Sequence, residues 1–207
     1  MNAPESEISR LRLTMTRIGL LAVLALQLFQ PAWAQPVSVL IAYDSVDGHT
    51  EQLAGWIATG AREDPEAEVR LLRVDKVSQG DLLWADAILV GSPVYNAGPT
   101  PAVAEFLAEL PFEGNPLKNK AGASFASAKG ASAGEELVML DILHCMLVLQ
   151  MVTFGGDDWR SGFGVSYILD ATRDPQVLEF TRDKALRLGR RAVQVARATE
   201  PLRAPGP

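Results

Sequence analysis

Residues 37–54, VSVLIAYDSVDGHTEQLA, constrain what this chain folds into more than any other stretch. Val37 to Tyr43 is a short apolar run rich in β-branched residues, the pattern of a strand buried on both faces. It breaks into Asp44-Ser45-Val46-Asp47-Gly48-His49-Thr50. A helical pattern follows at once, with Leu53, Trp56, Ile57 and Gly60 on one face. A strand, a hydroxyl-bearing loop and a helix start, in that order, aim free backbone N–H groups at an anion beside the positive end of a helix dipole. Ser45 and Thr50 add hydroxyl donors, and Gly48 lets the loop curl with no Cβ in the way. The stretch reads as a phosphate cradle. The competing reading is a plain strand-to-helix turn with Thr50 as the helix cap.

The same alternation runs on. Glu68 to Val74 reads as a second, half-exposed strand, and Gly80 to Ala85 as a short helix whose Trp84 covers the sheet. Ala87 to Gly91 is a third strand, buried on both faces, and it ends in the irregular loop SPVYNAGPTP. Pro101 then opens a helix, at a position where proline is welcome. Ala121 to Ala128 is a fourth strand of small residues, followed by a glycine-rich loop and a fourth helix, Glu135 to Leu147, apolar around most of its circumference. A fifth strand is expected around Leu149 to Phe154, and Asp174-Pro175 caps and starts the last helix. Strands alternating with helices imply a parallel sheet with right-handed crossovers. Five such units make an α/β, doubly wound, five-stranded parallel sheet of order 2-1-3-4-5, with the ligand beyond the carboxyl ends of strands one and three. The two informative loops leave those two ends.

Composition narrows the partners. A chain of 207 residues with 48% hydrophobic and 21% charged residues has the make-up of an ordinary globular domain. A net charge of −6 and the lack of a basic stripe exclude nucleic acid. Cys145 stands alone inside an apolar helical run and reads as a core thiol, and the two His show no zinc-ligand spacing, so no metal is expected. Arg10, Arg12 and Arg17 precede an apolar run from Ile18 to Phe29 and then Ala32-Trp33-Ala34, the layout of a signal peptide over residues 1–34 cut before Gln35. That run is short of the ~20 residues that span a bilayer. An exported, periplasmic protein is the reading, and an uncleaved N-terminal membrane anchor the alternative. The domain is expected over residues 36–198, and residues 199–207 are expected as a disordered tail.

The first loop matches neither GxxxxGK[ST] nor GxGxxG. It resembles instead the phosphate loop of the flavodoxin-like proteins, which holds the 5′-phosphate of FMN. At GSPVYNAGPTPAVAEFL, residues 91–107, the resemblance becomes specific. This stretch is similar to the flavin-binding loop and following helix of the NAD(P)H-dependent FMN reductases and WrbA-type NAD(P)H:quinone oxidoreductases. SVDGHT, residues 45–50, looks like that family's serine-x-x-glycine-histidine loop, and SGFGVS, residues 161–166, is similar to a later one. The resemblance spans Val37 to Ala196.

It implies FMN as cofactor, with Ser45, Asp47, Gly48, His49 and Thr50 lining the phosphate. Pro93, Val94, Tyr95 and Asn96 would hold the ring, with Tyr95 stacked on it, and Ser127, Ala128, Lys129 and Gly130 would meet its far side. His144 resembles a histidine that reaches a neighbour's flavin in WrbA-type proteins; its other reading is a helix residue paired locally with Asp141. The chain departs from the pattern in two ways. Asp47 puts a negative charge near the phosphate position, and the WrbA-type insertion after strand four is missing. The implied activity is an FMN-binding NAD(P)H-dependent oxidoreductase of the quinone reductase type, with NAD(P)H and a quinone-like molecule as partners and no catalytic side chain required. Helix four would supply a homo-oligomer contact. The alternatives are a flavodoxin-type one-electron carrier and a module of the same fold that has lost the flavin.

Overall fold

The computed structural model describes residues 36–203. The expected signal peptide or anchor at residues 1–34 lies outside the described residues. Seven residues of β-forming character give β1 (Val37–Tyr43), and its carboxyl end feeds α1 (His49–Ala61). There follow β2 (Ala67–Arg73), α2 (Gln79–Trp84), β3 (Ala87–Pro93), α3 (Pro101–Ala108), β4 (Ala121–Ala128) and α4 (Glu135–Val148). Two short strands, β5 (Val152–Thr153) and β6 (Val165–Ile168), precede α5 (Pro175–Arg203).

All pairings are parallel, and the order is β2-β1-β3-β4-β5, with β6 also on β4. The expected topology is therefore present, with one correction. The fifth strand does not run from Leu149 to Phe154. It is two pieces, Val152 beside Ala121 and Val165 beside Phe125. The chain leaves the sheet between them because Gly155 and Gly156 double back on residues 161–162, where a Cβ on either glycine would stand 2.0 Å from a backbone or side-chain atom. The Ser124 hydroxyl donates to the Phe163 carbonyl at 2.8 Å and spans the break.

The strands alternate their side chains between two layers. Val39, Ile41, Leu89, Ala123 and Phe125 face α1 and α5; Leu40, Ala42, Ile88, Val90 and Ala126 face α2, α3 and α4. Each fully buried Leu or Ile of this set contributes about 1.5–3 kcal/mol relative to exposure. α1 and α5 touch backbone to backbone through two glycines. A Cβ on Gly60 would lie 2.0 Å from the Leu186 carbonyl oxygen, and one on Gly189 would lie 2.0 Å from that of Ile57. Arg197 joins the same two helices, pairing with Asp64 at 2.6 Å just past the end of α1.

One boundary differs from expectation. α5 continues to Arg203, where a disordered tail was expected from residue 199, because Thr199 is buried and Arg203 ties back to Asp86 at 3.1 Å. α4 buries Val138, Met139, Ile142, Leu143 and Met146, while Leu137, Leu147 and Val148 face outward. His144 is exposed on the same helix.

Candidate functional site

Three loops meet above the carboxyl ends of β1, β3 and β4, where an open parallel sheet places its ligands. The first is the turn from Asp44 to Gly48. Gly48 has φ 84 and is the N-cap of α1, a conformation in which a side chain would be strained. The first helical bond is Gln52 N–H to the Gly48 carbonyl at 2.9 Å. The Glu51 N–H goes to the Ser45 hydroxyl oxygen at 3.3 Å. Among the described residues no acceptor takes the N–H groups of Val46, Asp47, Gly48, His49 or Thr50. Those five amides surround the positive end of a helix of 13 residues, the arrangement that binds an oxyanion.

Thr50 is not the cap. It is the second residue of α1, it is buried, and its Oγ1 lies 2.7 Å from the Ser127 Oγ at the end of β4. The helix starts two residues earlier than a Thr50 cap requires, because glycine at position 48 accepts the left-handed conformation there. The two hydroxyls own two hydrogens and share one contact, so one hydrogen remains for a ligand.

The second loop follows β3. Tyr95 N–H donates to the Gly98 carbonyl at 2.8 Å, and Gly98 N–H returns the bond to Tyr95 at 3.0 Å. Asn96 (φ 49) and Ala97 (φ 64) turn the corner, which makes a tight hairpin that holds Tyr95 outward, 55% exposed. Ser92 anchors the loop's return: its Oγ accepts from the Thr100 N–H at 2.9 Å while Thr100 caps α3. The third loop runs from Ser127 to Gly134. Glu135 bonds the Ser132 and Ala133 N–H groups at 3.2 and 3.1 Å, so those two amides are already taken. Gly134 has φ 111, and a Cβ there would meet the Ala97 Cα at 3.1 Å, which sets the second and third loops against each other.

Ser127 is the common point. Its hydroxyl reaches Thr50 of the first loop, and its carbonyl accepts the Val94 N–H of the second at 2.8 Å. The structure thus brings Ser45, Gly48, His49, Thr50, Pro93, Val94, Ser127 and Ala128 to one end of the sheet, with Thr50 and Val94 bonded to Ser127. Tyr95, Asn96, Lys129 and Asp47 stand at its exposed edge, and Gly130 is half-buried beside Asp170. Asp47 points into solvent, with no ion pair among the described residues.

Sequence reasoning missed four contributors. Arg73, at the end of β2, donates to the Ser45 carbonyl at 3.0 Å and to the Asp44 carboxylate at 2.5 Å. Asp44 is buried behind the loop. Tyr167 stacks on His49, ring centroids 5.2 Å apart and 19° between planes, with Trp56 on from it at 6.0 Å. Glu51 accepts from the Tyr43 hydroxyl at 2.9 Å; burial first, and then this bond to a carboxylate, push the phenol above its ordinary pKa. No local pattern marks the first three, since each pairing joins distant strands or helices.

The comparisons agree with this geometry. A model of the flavodoxin domain matches residues 40–136. A flavodoxin from Aquifex aeolicus is 30% identical over 158 residues, 75% of this chain and 85% of that one. An NAD(P)H dehydrogenase (quinone) from Azorhizobium caulinodans is 30% identical over 139 residues, 56% of this chain and 69% of that one. A flavodoxin, WrbA-like protein from Agrobacterium tumefaciens has the same fold, with a TM-score of 0.60 at 18% identity, covering 79% of this chain and 99% of that one.

Proposed function

Because this chain belongs to the flavodoxin-like flavoproteins, whose cofactor is FMN, we propose that it is an FMN-dependent oxidoreductase that takes a hydride from NAD(P)H and passes two electrons to a quinone or similar acceptor. The observation that carries the cofactor reading is the set of five unclaimed N–H groups from Val46 to Thr50 at the start of α1. A phosphate dianion satisfies them, and no neutral group does so as well.

In this reading Ser45, Gly48, His49 and Thr50 hold the phosphate, with Asp47 at its exposed edge. Pro93, Val94, Tyr95 and Asn96 hold the ring from the hairpin, with the Tyr95 ring over its face. Ser127, Ala128, Lys129 and Gly130 meet it from the other side. Bound FMN supplies the hydride-accepting chemistry, and the protein supplies orientation and a frame of backbone donors. Tyr95 is 55% exposed, so its side of the site is open to a second molecule.

A flavodoxin-type one-electron carrier is the second reading. It is favoured by the longer match to the Aquifex flavodoxin and by the short connection between β4 and α4, only Lys129 to Gly134, which leaves no inserted wall for a nicotinamide. Turnover separates the two. The enzyme oxidises NADH or NADPH with a simple benzoquinone as sole acceptor, whereas a carrier holds FMN and requires a separate reductase. Protein that stays colourless and takes up no FMN refutes both.

Leu137, Leu147 and Val148 on the outer side of α4 support a contact with a second copy, and a monomer with FMN bound at micromolar concentration in sedimentation refutes it. The Arg-led apolar run supports export, with a mature chain starting near Gln35; N-terminal sequencing that retains Ile18 to Phe29 refutes it.

A further inference from the structure

We propose that Arg73 is a positioning residue for the phosphate loop, turning the Ser45–Val46 peptide so that its N–H faces the crevice. The proposal rests on the FMN reading above and names the part of the fold that makes the cradle selective for phosphate.

Arg73 closes β2 and sits on the same ladder rung as Tyr43, the last residue before the loop. That rung fixes the base of its side chain beside the point where the loop begins. Its guanidinium forks: Nη1 donates to the Ser45 carbonyl at 3.0 Å, and Nη2 to Asp44 Oδ1 at 2.5 Å. Nε stands 3.8 Å from Asp75 Oδ1, which holds the guanidinium from its other side. In a trans peptide the carbonyl and the next N–H point in opposite directions. Drawing the Ser45 oxygen toward β2 therefore turns the Val46 N–H away from β2 and toward the crevice. Val46 is one of the loop amides that no acceptor takes among the described residues, so its direction shapes the start of the cradle.

The second prong has a separate consequence. Asp44 is buried, its side chain only 10% exposed, directly behind the loop. Left alone, its carboxylate would oppose any anion in front of it. Arg73 balances that charge while keeping its own end partly in solvent. A lysine carries the charge, but as a point donor it does not hold two acceptors in the fixed fork geometry of a guanidinium.

FMN and riboflavin, which lacks the phosphate, are titrated into the wild type, Arg73→Ala, Arg73→Lys and the double variant Arg73→Ala/Asp44→Asn, with flavin fluorescence as the readout. Arg73→Ala is expected to weaken FMN by about tenfold to a hundredfold and riboflavin by less than about threefold. Arg73→Lys is expected to fall between wild type and Arg73→Ala for FMN. The double variant removes the unpaired carboxylate and is expected to regain stability in denaturant but not the preference for FMN. If Arg73→Ala does not fold, the double variant and Arg73→Lys carry the test. A wild-type ratio of the two affinities in Arg73→Ala, in Arg73→Lys or in the double variant overturns the proposal. A wild-type protein that binds FMN no better than riboflavin overturns the phosphate site itself and the role of Arg73 with it.

Discussion

Thr50→Val tests whether the hydroxyl pair between the first loop and β4 exists and whether it is shared with a ligand. Valine keeps the β-branched shape and costs little helix propensity relative to threonine. What it removes is Oγ1, which lies 2.7 Å from the Ser127 Oγ with both residues buried. The Ser127 hydroxyl then has no partner from Thr50, and an unsatisfied buried hydroxyl costs about 1–3 kcal/mol. Ser127→Ala leaves the Thr50 hydroxyl in the same position, at a cost in the same range. Removing both groups leaves nothing unsatisfied, so the double variant is expected to lose less than the sum of the singles. The coupling in a double-mutant cycle is about 1 kcal/mol. Urea unfolding of the FMN-free protein measures it. With FMN added, Thr50→Val is expected to lose a further ~1 kcal/mol of ligand stabilisation, because the hydroxyl facing the phosphate is gone, whereas Ser127→Ala leaves the Thr50 hydrogen free for the ligand. Additive losses in the FMN-free protein would refute the pair. A coupling present without FMN and untouched by it would refute the sharing.

Other outcomes follow from the same geometry. Asp47→Asn is expected to tighten FMN by less than about threefold and riboflavin not at all, more at low salt, since an exposed charge is well screened; equal shifts in isothermal titration refute it. Gly60→Ala is expected to lower thermal stability by about 1–3 kcal/mol or more, because its Cβ has no room beside the Leu186 carbonyl; an unchanged melting temperature refutes the close crossing. Asp64 is held below its ordinary pKa, first by the hydrogen bond from Arg197, so the folded state binds fewer protons than the unfolded one between the two pKa values. The stability it contributes is therefore complete above about pH 4 and lost as pH falls through the lower, folded pKa. The stability gap between wild type and Arg197→Ala should close over that acid range, and a gap independent of pH refutes the pairing.

Much of the fold was legible because burial on both faces leaves a continuous apolar signature. β1 and β4 begin and end where the run of apolar or small residues does, at Val37–Tyr43 and Ala121–Ala128. Alternation implied the parallel sheet, and five such units fitted the doubly wound order 2-1-3-4-5. The fifth position of the sheet was not legible. Leu149 to Phe154 carries the apolar run, yet Leu149 finishes α4 and only Val152 and Thr153 pair with β4. The second half, Val165 to Ile168, is four residues long with alternating burial, too short a pattern to separate from a loop. The far end misled for a different reason. Residues 199–203 look like the start of a polar tail, and they stay helical through long-range bonds, Arg203 to Asp86 and Asn119 to the Leu202 carbonyl; residues 204–207 lie outside the described residues.

The site divides along the same physical line. Residues that make the cradle by backbone were visible, since a glycine and small hydroxyl residues between a strand and a helix leave few other conformations. Residues that act by reaching across were not. Arg73 lies 28 positions from the carbonyl it holds, and Ser127 lies 77 from the hydroxyl it meets. Parallel pairing makes such reach possible: every strand ends on the same side of the sheet, so the last side chain of β2, the first loop after β1 and the end of β4 arrive together. A consequence is that the three loops are not independent. Ser127 is bonded to both the first and the second, so straightening either one disturbs the other through β4. A ligand that gathers all three therefore stabilises the carboxyl edge of the sheet as a unit. A ligand that meets only the first loop leaves the Tyr95 hairpin as it was.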